Sequence, residues 1–213
     1  QKINITNYYM NLQKIKELEN VALSDTQILN LVKHDANMIL YPDIHKYNSI
    51  DQLLDPHDAA IILYESKPSY GHWTCIFKVS PNEIEFFNSY GDDGSKHDGY
   101  PDAMLNFIPE KFRKQSNQDH TYLAKLMCDS KYDLSYNQYN FQKDGEGIRT
   151  CGRHVGTRLN MRHLKLDDYY RTLKKYCNDF KTDFDGVVTI LSKDIKWFHI
   201  FYIFIKYIMS YRT

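Results

Sequence analysis

Three runs between Ala59 and Gly91, "AAIILYES", "HWTCIFKV" and "EIEFFNSYG", constrain the fold more than any other part of the chain. Each is rich in β-branched and aromatic residues, and the pieces between them, "KPSYG" and "SPN", have turn composition. Links this short join strands running in opposite directions, because a parallel return needs a dozen or more residues. The spacing predicts a three-stranded antiparallel meander. The flanking sequence supplies helices to cover it. Ser24 is an N-cap candidate before Ile28, Leu29, Leu31 and Val32, "SIDQLL" reads as a short helix, and residues 1–23 carry helical signals of their own.

Beyond the meander, "PDAMLNFIP" and "TYLAKLMC" are helical candidates and "DLSYNQYNFQ" offers one more strand. The loop "KDGEGIR" leads to a helix opening at Cys151, with Thr150 as its N-cap and Val155, Leu159 and Met161 as its apolar pattern. "DDYYRTLKKYC" is a second helix, and "GVVTIL" a last short strand or helical turn. No repeat, low-complexity linker or clear boundary divides the chain. The expectation is an α+β fold in one domain over residues 1–192, with a mostly antiparallel central sheet, followed by an apolar tail at 193–213.

Composition narrows the function classes. The chain has 213 residues, 42% hydrophobic and 25% charged, which is a globular composition with enough apolar material for a core. Lys+Arg and Asp+Glu are both 27, so no excess of positive charge favours nucleic acid as the main partner, although a local basic patch stays open. Cys75, Cys128, Cys151 and Cys177 lie far apart with no C-x-x-C pair. That spacing is neither a disulfide framework nor a zinc ribbon, and it fits a reducing compartment. Residues 1–20 lack the apolar core of a secretory signal. The tail segment "IKWFHIFYIFIKYIM" is shorter than the ~20 residues of a spanning helix, and Lys196, His199 and Lys206 interrupt it. It reads as a docked terminal helix, with interfacial membrane contact second. In "GDDGSKHDG", Asp92, Asp93, His97 and Asp98 do not match a calcium-loop spacing, so the stretch reads as a solvated turn.

Cys151 draws attention by its place. A thiol at a helix start feels the positive end of the helix dipole, which favours the thiolate. Nucleophilic catalysis then needs a base, a group that orients the base, and donors for the oxyanion. His72 opens the second β-run, and Asn88 ends the third, sixteen residues further on (88 − 72). In adjacent antiparallel strands the start of one faces the end of the next, so the two would meet at one edge of the sheet. An Asn oxygen accepting from Nδ1–H would leave Nε2 to face the thiol. Gln142, nine residues before Cys151 (151 − 142), would fold back to make an oxyanion hole with the Cys151 backbone N–H, with Gln138 as a rival. Histidine is common here, as His120, His154 and His163 show. Cys75 is out of phase with the neighbours of Trp73 and reads as structural, while Cys128 and Cys177 sit in ordinary helical patterns.

His-Trp, then Asn-Ser-Tyr-Gly after "FF", then Gln, then Thr-Cys-Gly, in that order, resembles the adenovirus-type and SUMO-protease-type cysteine peptidases. Within that group the resemblance points to the capsid-maturation proteases of virophages and polinton-like or large DNA viruses, where "TCGRH" is a familiar form. It covers roughly residues 55–165. It implies a papain-like fold with the nucleophile at the N-terminus of a packed helix. It also implies Cys151 as nucleophile, His72 as base, Asn88 as its partner and Gln142 as oxyanion donor, with Trp73 and Gly152 along the substrate path. Asn88 stands where Asp is more usual, as in some viral members, and the gap from Gln142 to Cys151 is longer than in cellular members. The implied activity is cleavage of viral capsid precursors at Gly-containing sites, by a monomer in the virion and the host-cell virus factory. Neither metal nor organic cofactor is implied, and an activating peptide or DNA is allowed without being required. Processing of ubiquitin-like conjugates is the alternative, and a non-catalytic scaffold or nucleic-acid-binding module on the same fold is the second.

Overall fold

A computed structural model of the chain describes residues 12–92 and 100–192. The meander forms as its short links require: β2 (Ala59–Lys67), β3 (Tyr70–Ser80) and β4 (Glu83–Phe87) pair antiparallel, with Cys75 opposite both Ile61 and Phe87. At the β2–β3 turn, a Cβ on Gly71 would lie 1.9 Å from the Tyr64 carbonyl oxygen, so only glycine allows the strands to approach beside the irregularity at Glu65–Lys67. Two outer strands, β1 (Asn37–Leu40) and β5 (Asp133–Tyr136), complete the order β1-β2-β3-β4-β5, and both join in parallel. The antiparallel character therefore belongs to the centre of the sheet.

Strand β1 departs from the sequence reading, which recognised no strand before Ala59. Helix α2 (Asp25–Leu31) starts where expected, with Ser24 and Gln27 forming a reciprocal capping box. It ends early because Lys33 and His34 adopt left-handed backbone angles (φ 56° and 59°), which turn the chain into the sheet. Another departure is "PDAMLNFIP", which forms a 3-10 helix at Pro101–Phe107 instead of an α-helix. In "DLSYNQYNFQ" only Asp133–Tyr136 pairs as a strand. "GVVTIL" lies inside a helix, whose N-cap Asp183 accepts the Gly186 N–H.

Both faces of the sheet are covered, which explains why β2 begins as a continuous apolar run instead of alternating with polar residues. Ile62, Tyr64, Ile76, Ile84 and Phe86 pack on one face against α3 (Ile50–Leu54), α5 (Tyr122–Cys128) and the 3-10 turns at Tyr41–Lys46 and Pro101–Phe107, with α4 (Glu110–Gln115) at its margin. Ile61, Cys75, Phe77 and Phe87 pack on the other face against α2, α6 (Cys151–Asn160), α7 (Leu166–Phe180) and α8 (Phe184–Leu191). The short α1 (Leu12–Glu19) lies on α8.

Helix α6 is buried from Cys151 to Leu159. Gly152 and Gly156, one turn apart, let α2 lie close: a Cβ would fall 2.7 Å from Ile28 Cδ1 at the first and 2.3 Å from Leu31 Cδ2 at the second. Beneath the helix, the Arg158 guanidinium makes a bidentate pair with Glu85 on β4, at 2.8 and 2.7 Å, and donates to the carbonyls of Met161 and Leu164. No helix among the described residues is long and apolar enough to cross a membrane. The tail at 193–213, like Asp93, His97 and Asp98, lies outside the described residues.

Candidate active site

A cleft of about 960 Å³ opens at the end of the sheet where α6 begins. His72, Trp73, Tyr90, Gln142, Cys151 and Gly152 line one part of it, and Leu40, Leu63, Met104 and Phe107 another. His72, Gln142 and Cys151 thus share one cleft, with Asn88 behind His72. Gln138 is exposed and does not line the cleft.

His72 donates from Nε2 to Asn88 Oδ1 at 2.9 Å, the ring nitrogen opposite to the one expected. The antiparallel ladder ends at Cys75–Phe87, and residues 88–91 form a turn closed by the Gly91 N–H on the Asn88 carbonyl at 3.0 Å, so Asn88 meets the ring from just beyond the strand. Tyr90, in that turn, stacks on the imidazole, with ring centroids 4.6 Å apart and planes at 16°. Asn88 is fully buried; its Oδ1 also accepts the Tyr90 backbone N–H at 3.1 Å, and its Nδ2 donates to Met104 Sδ.

Thr150 does not cap α6. Its hydroxyl donates instead to Asp185 on α8, and its backbone angles (φ −100°, ψ 0°) lie outside the usual capping geometry. The same carboxylate accepts the Lys143 backbone N–H at 3.1 Å and meets His154 Nε2 at 3.0 Å. Asp185 therefore ties down both ends of the 143–150 loop, which is how Gln142 returns to the cleft across a long gap in sequence. Burial pushes the Asp185 carboxyl up, but hydrogen bonds from His154, Thr150 and the Lys143 N–H outweigh it and hold it below the ordinary carboxylate value.

The thiol of Cys151 also departs from expectation. Burial pushes its pKa up, while the backbone N–H groups of Trp73, Gly152 and Cys151 itself pull it down without reversing the shift. The helix start does aim N–H groups at the sulfur, but the desolvation of a residue only 9% exposed is larger. Cys75, fully buried in the core, is pushed well above the ordinary thiol value, first by burial and then by the Glu85 carboxylate, with Arg158 opposing. Cys128 is exposed, Cys177 half-buried, and all four thiols are free.

Gly152 lines the cleft, but its missing side chain principally makes room for Ile28 and, at 3.5 Å from a built Cβ, for Trp73. Trp73 is half-buried against the α6 side of the core. Sequence reasoning passed over Ser89, Tyr90 and Asp185. The first two stood inside the "NSYG" motif, and only their alternation about Asn88 hinted at separate roles. Asp185 carried no signal, since its partners are 31 to 42 residues away.

Fold and cleft together define a mixed α+β protein that gathers a thiol, an imidazole and two buried amides at one end of a five-stranded sheet. The chain is 40% identical over 181 residues to "Uncharacterized protein V9" of Sputnik virophage, a match taking in 85% of this chain and 99% of that protein. It belongs to that virophage protein family. No profile of a known family matches the chain, and no solved structure does.

Proposed function

We propose that the chain is a cysteine endopeptidase that processes viral capsid precursors. The observation that carries this reading is the cleft, which holds a thiol at a helix start, an imidazole anchored by a buried amide, and a second amide beside them. Asn88 Oδ1 keeps the His72 proton on Nε2, and Nδ1 takes the proton of Cys151. A thiol whose pKa is raised by burial depends on such a base. The thiolate attacks the scissile carbonyl, and the Gln142 amide and the Cys151 N–H stabilise the oxyanion. His72 returns the proton to the leaving amine as the C–N bond breaks. Water then hydrolyses the thioester, with His72 again as base.

The substrate class, capsid precursor cleaved at Gly-containing sites, follows from the resemblance of the motif order and from kinship with a virophage protein. Co-expression with the capsid precursor of the same virus, read by intact mass, tests it. The expected result is truncation of the precursor by the wild type and none by Cys151→Ala. Truncation of a ubiquitin-like precursor in its place would move the substrate class. An unmodified precursor, together with a Cys151 inert to electrophilic peptides, would point to a scaffold or nucleic-acid-binding role.

A further inference from the structure

We propose that Ser89 and Tyr90 are positioning residues that clamp the side-chain amide of Gln142 with its N–H groups toward the cleft. The inference rests on the peptidase reading and assigns two residues that reading does not use. An amide has a donor end and an acceptor end of nearly equal shape, and a Gln turned the wrong way would present oxygen to a developing oxyanion. Something must fix which end faces the substrate.

Ser89 holds the acceptor end. Its hydroxyl donates to Gln142 Oε1 at 2.7 Å, and its carbonyl accepts the Gln142 backbone N–H at 2.9 Å. Ser89 is 0% and Gln142 2% exposed, so water does not compete for these groups. Tyr90 holds the donor end: Gln142 Nε2 donates to the phenol oxygen at 3.4 Å, leaving its second N–H for a ligand in the cleft. The preceding residue, Asn88, fixes the ring of His72. Three consecutive side chains at the end of β4 thus orient the base and the oxyanion donor. The turn over residues 88–91, closed by the Gly91 N–H on the Asn88 carbonyl at 3.0 Å, brings Asn88 and Tyr90 to His72 and Ser89 to Gln142.

Two reactions of the full chain at Cys151, mapped by peptide mass, separate the clamp from general damage. With p-nitrophenyl acetate the thiolate attacks the ester carbonyl, p-nitrophenolate leaves, and a thioester remains, so an oxyanion forms on the way. With iodoacetamide the sulfur displaces iodide from carbon and no oxyanion forms. Ser89→Ala is expected to slow acylation by roughly 10-fold, between the loss of one neutral hydrogen bond and the 10²–10³-fold loss of an oxyanion donor. Its alkylation should stay within about 2-fold of wild type, because thiolate formation is untouched. In a Gln142→Ala background Ser89→Ala should slow acylation no further, as expected for residues acting through one group. Equal slowing of both reactions, or full slowing in the Gln142→Ala background, would overturn the clamp. Should Ser89→Ala fail to fold, Tyr90→Phe removes a single oxygen and is expected to show about 3-fold slower acylation with unchanged alkylation. A wild type that acylates no faster than Cys151→Ala defeats the peptidase reading and the clamp with it. Acylation that depends on Cys151 and Gln142 but not on Ser89 or Tyr90 defeats the clamp alone.

Discussion

On one face of the sheet, the Tyr41 hydroxyl donates to Asp102 at 2.6 Å and accepts the Tyr122 N–H at the start of α5 at 3.0 Å. The other face encloses charge. Arg158 and Glu85 form an ion pair between α6 and β4, and the Asp185 carboxylate on α8 meets His154 Nε2 on α6 at 3.0 Å. His72, Thr74 and Ile76 alternate onto the first face, while Cys151 comes from the helix lying over the second. The candidate site exists only where the two faces meet at the end of the sheet. A helix that must hold the Cys151 thiol in register with a strand on the far side cannot slide. Charge pairs with fixed geometry locate it more sharply than apolar contacts, which tolerate shifts.

The largest test of that contrast is stability. Arg158→Ala leaves Glu85 buried and unpaired, and a cost of about 3–5 kcal/mol is expected in urea denaturation. Tyr41→Phe on the first face should cost less, about 1.5–3 kcal/mol, as for a hydrogen bond to a carboxylate. Replacing Glu85 and Arg158 together by Leu and Met should cost less than Arg158→Ala alone. If Tyr41→Phe costs as much as Arg158→Ala, the two faces do not differ as described.

Next comes the junction between the faces. Asn88→Ala should lower kcat/KM by roughly 10²-fold, since the base loses the acceptor that sets its tautomer. Asn88→Asp keeps that acceptor and gives up only a donation to the Met104 sulfur, a weak acceptor, so it should retain more activity. The reverse ranking in steady-state kinetics would remove Asn88 from the site.

A smaller effect is expected at the seam between α2 and α6. Gly152→Ala drives a methyl into Ile28, which is fully buried, and the overpacking should outweigh the gain in helix propensity by about 1–2 kcal/mol, visible as a lower Tm. An unchanged Tm would mean that the helix is free to move, against the contrast drawn above.

The smallest effect is an acid-dependent one at the surface end of α8. Burial pushes the Asp183 carboxyl up, but hydrogen bonds from Lys143, the Gly186 N–H and Lys16 prevail and hold it at about 2, against an ordinary 3.8. A depressed carboxyl stabilises the fold above its unfolded value and loses that contribution as pH falls through the folded one. Because the group is partly exposed and screened, the contribution is set at about 1 kcal/mol. The stability gap between wild type and Asp183→Asn should therefore persist at neutral pH and close between pH 4 and pH 2. A gap that stays constant over that window would assign Asp183 to capping alone.

Much of this architecture was legible in the chain. Turn compositions of three to five residues between β-rich runs leave an antiparallel meander little alternative, and Ser24 with Gln27 marks the start of α2. The opening of α6 at Cys151 and the placement of His72 on one strand and Asn88 just past the end of the next follow from periodicity acting over a few residues. These signals are local, and the energy that enforces them is local too.

What only the tertiary structure decided depends on groups remote in sequence. The parallel edges β1 and β5 are chosen by which strand flank remains open after the meander closes. The ring nitrogen that meets Asn88 is set by the turn that follows β4, not by the identity of either residue. The Thr150 hydroxyl abandons its helix for a carboxylate 35 residues further on, and Arg158 finds Glu85 across 73 residues. Burial then reverses the expected sign at Cys151, because desolvating a thiolate costs more than three N–H groups return. A residue's neighbours along the chain determine how its backbone bends. Its neighbours in space determine what its side chain is worth, and for Cys151, Thr150 and Asp185 those neighbours exist only once the two faces of the sheet are covered.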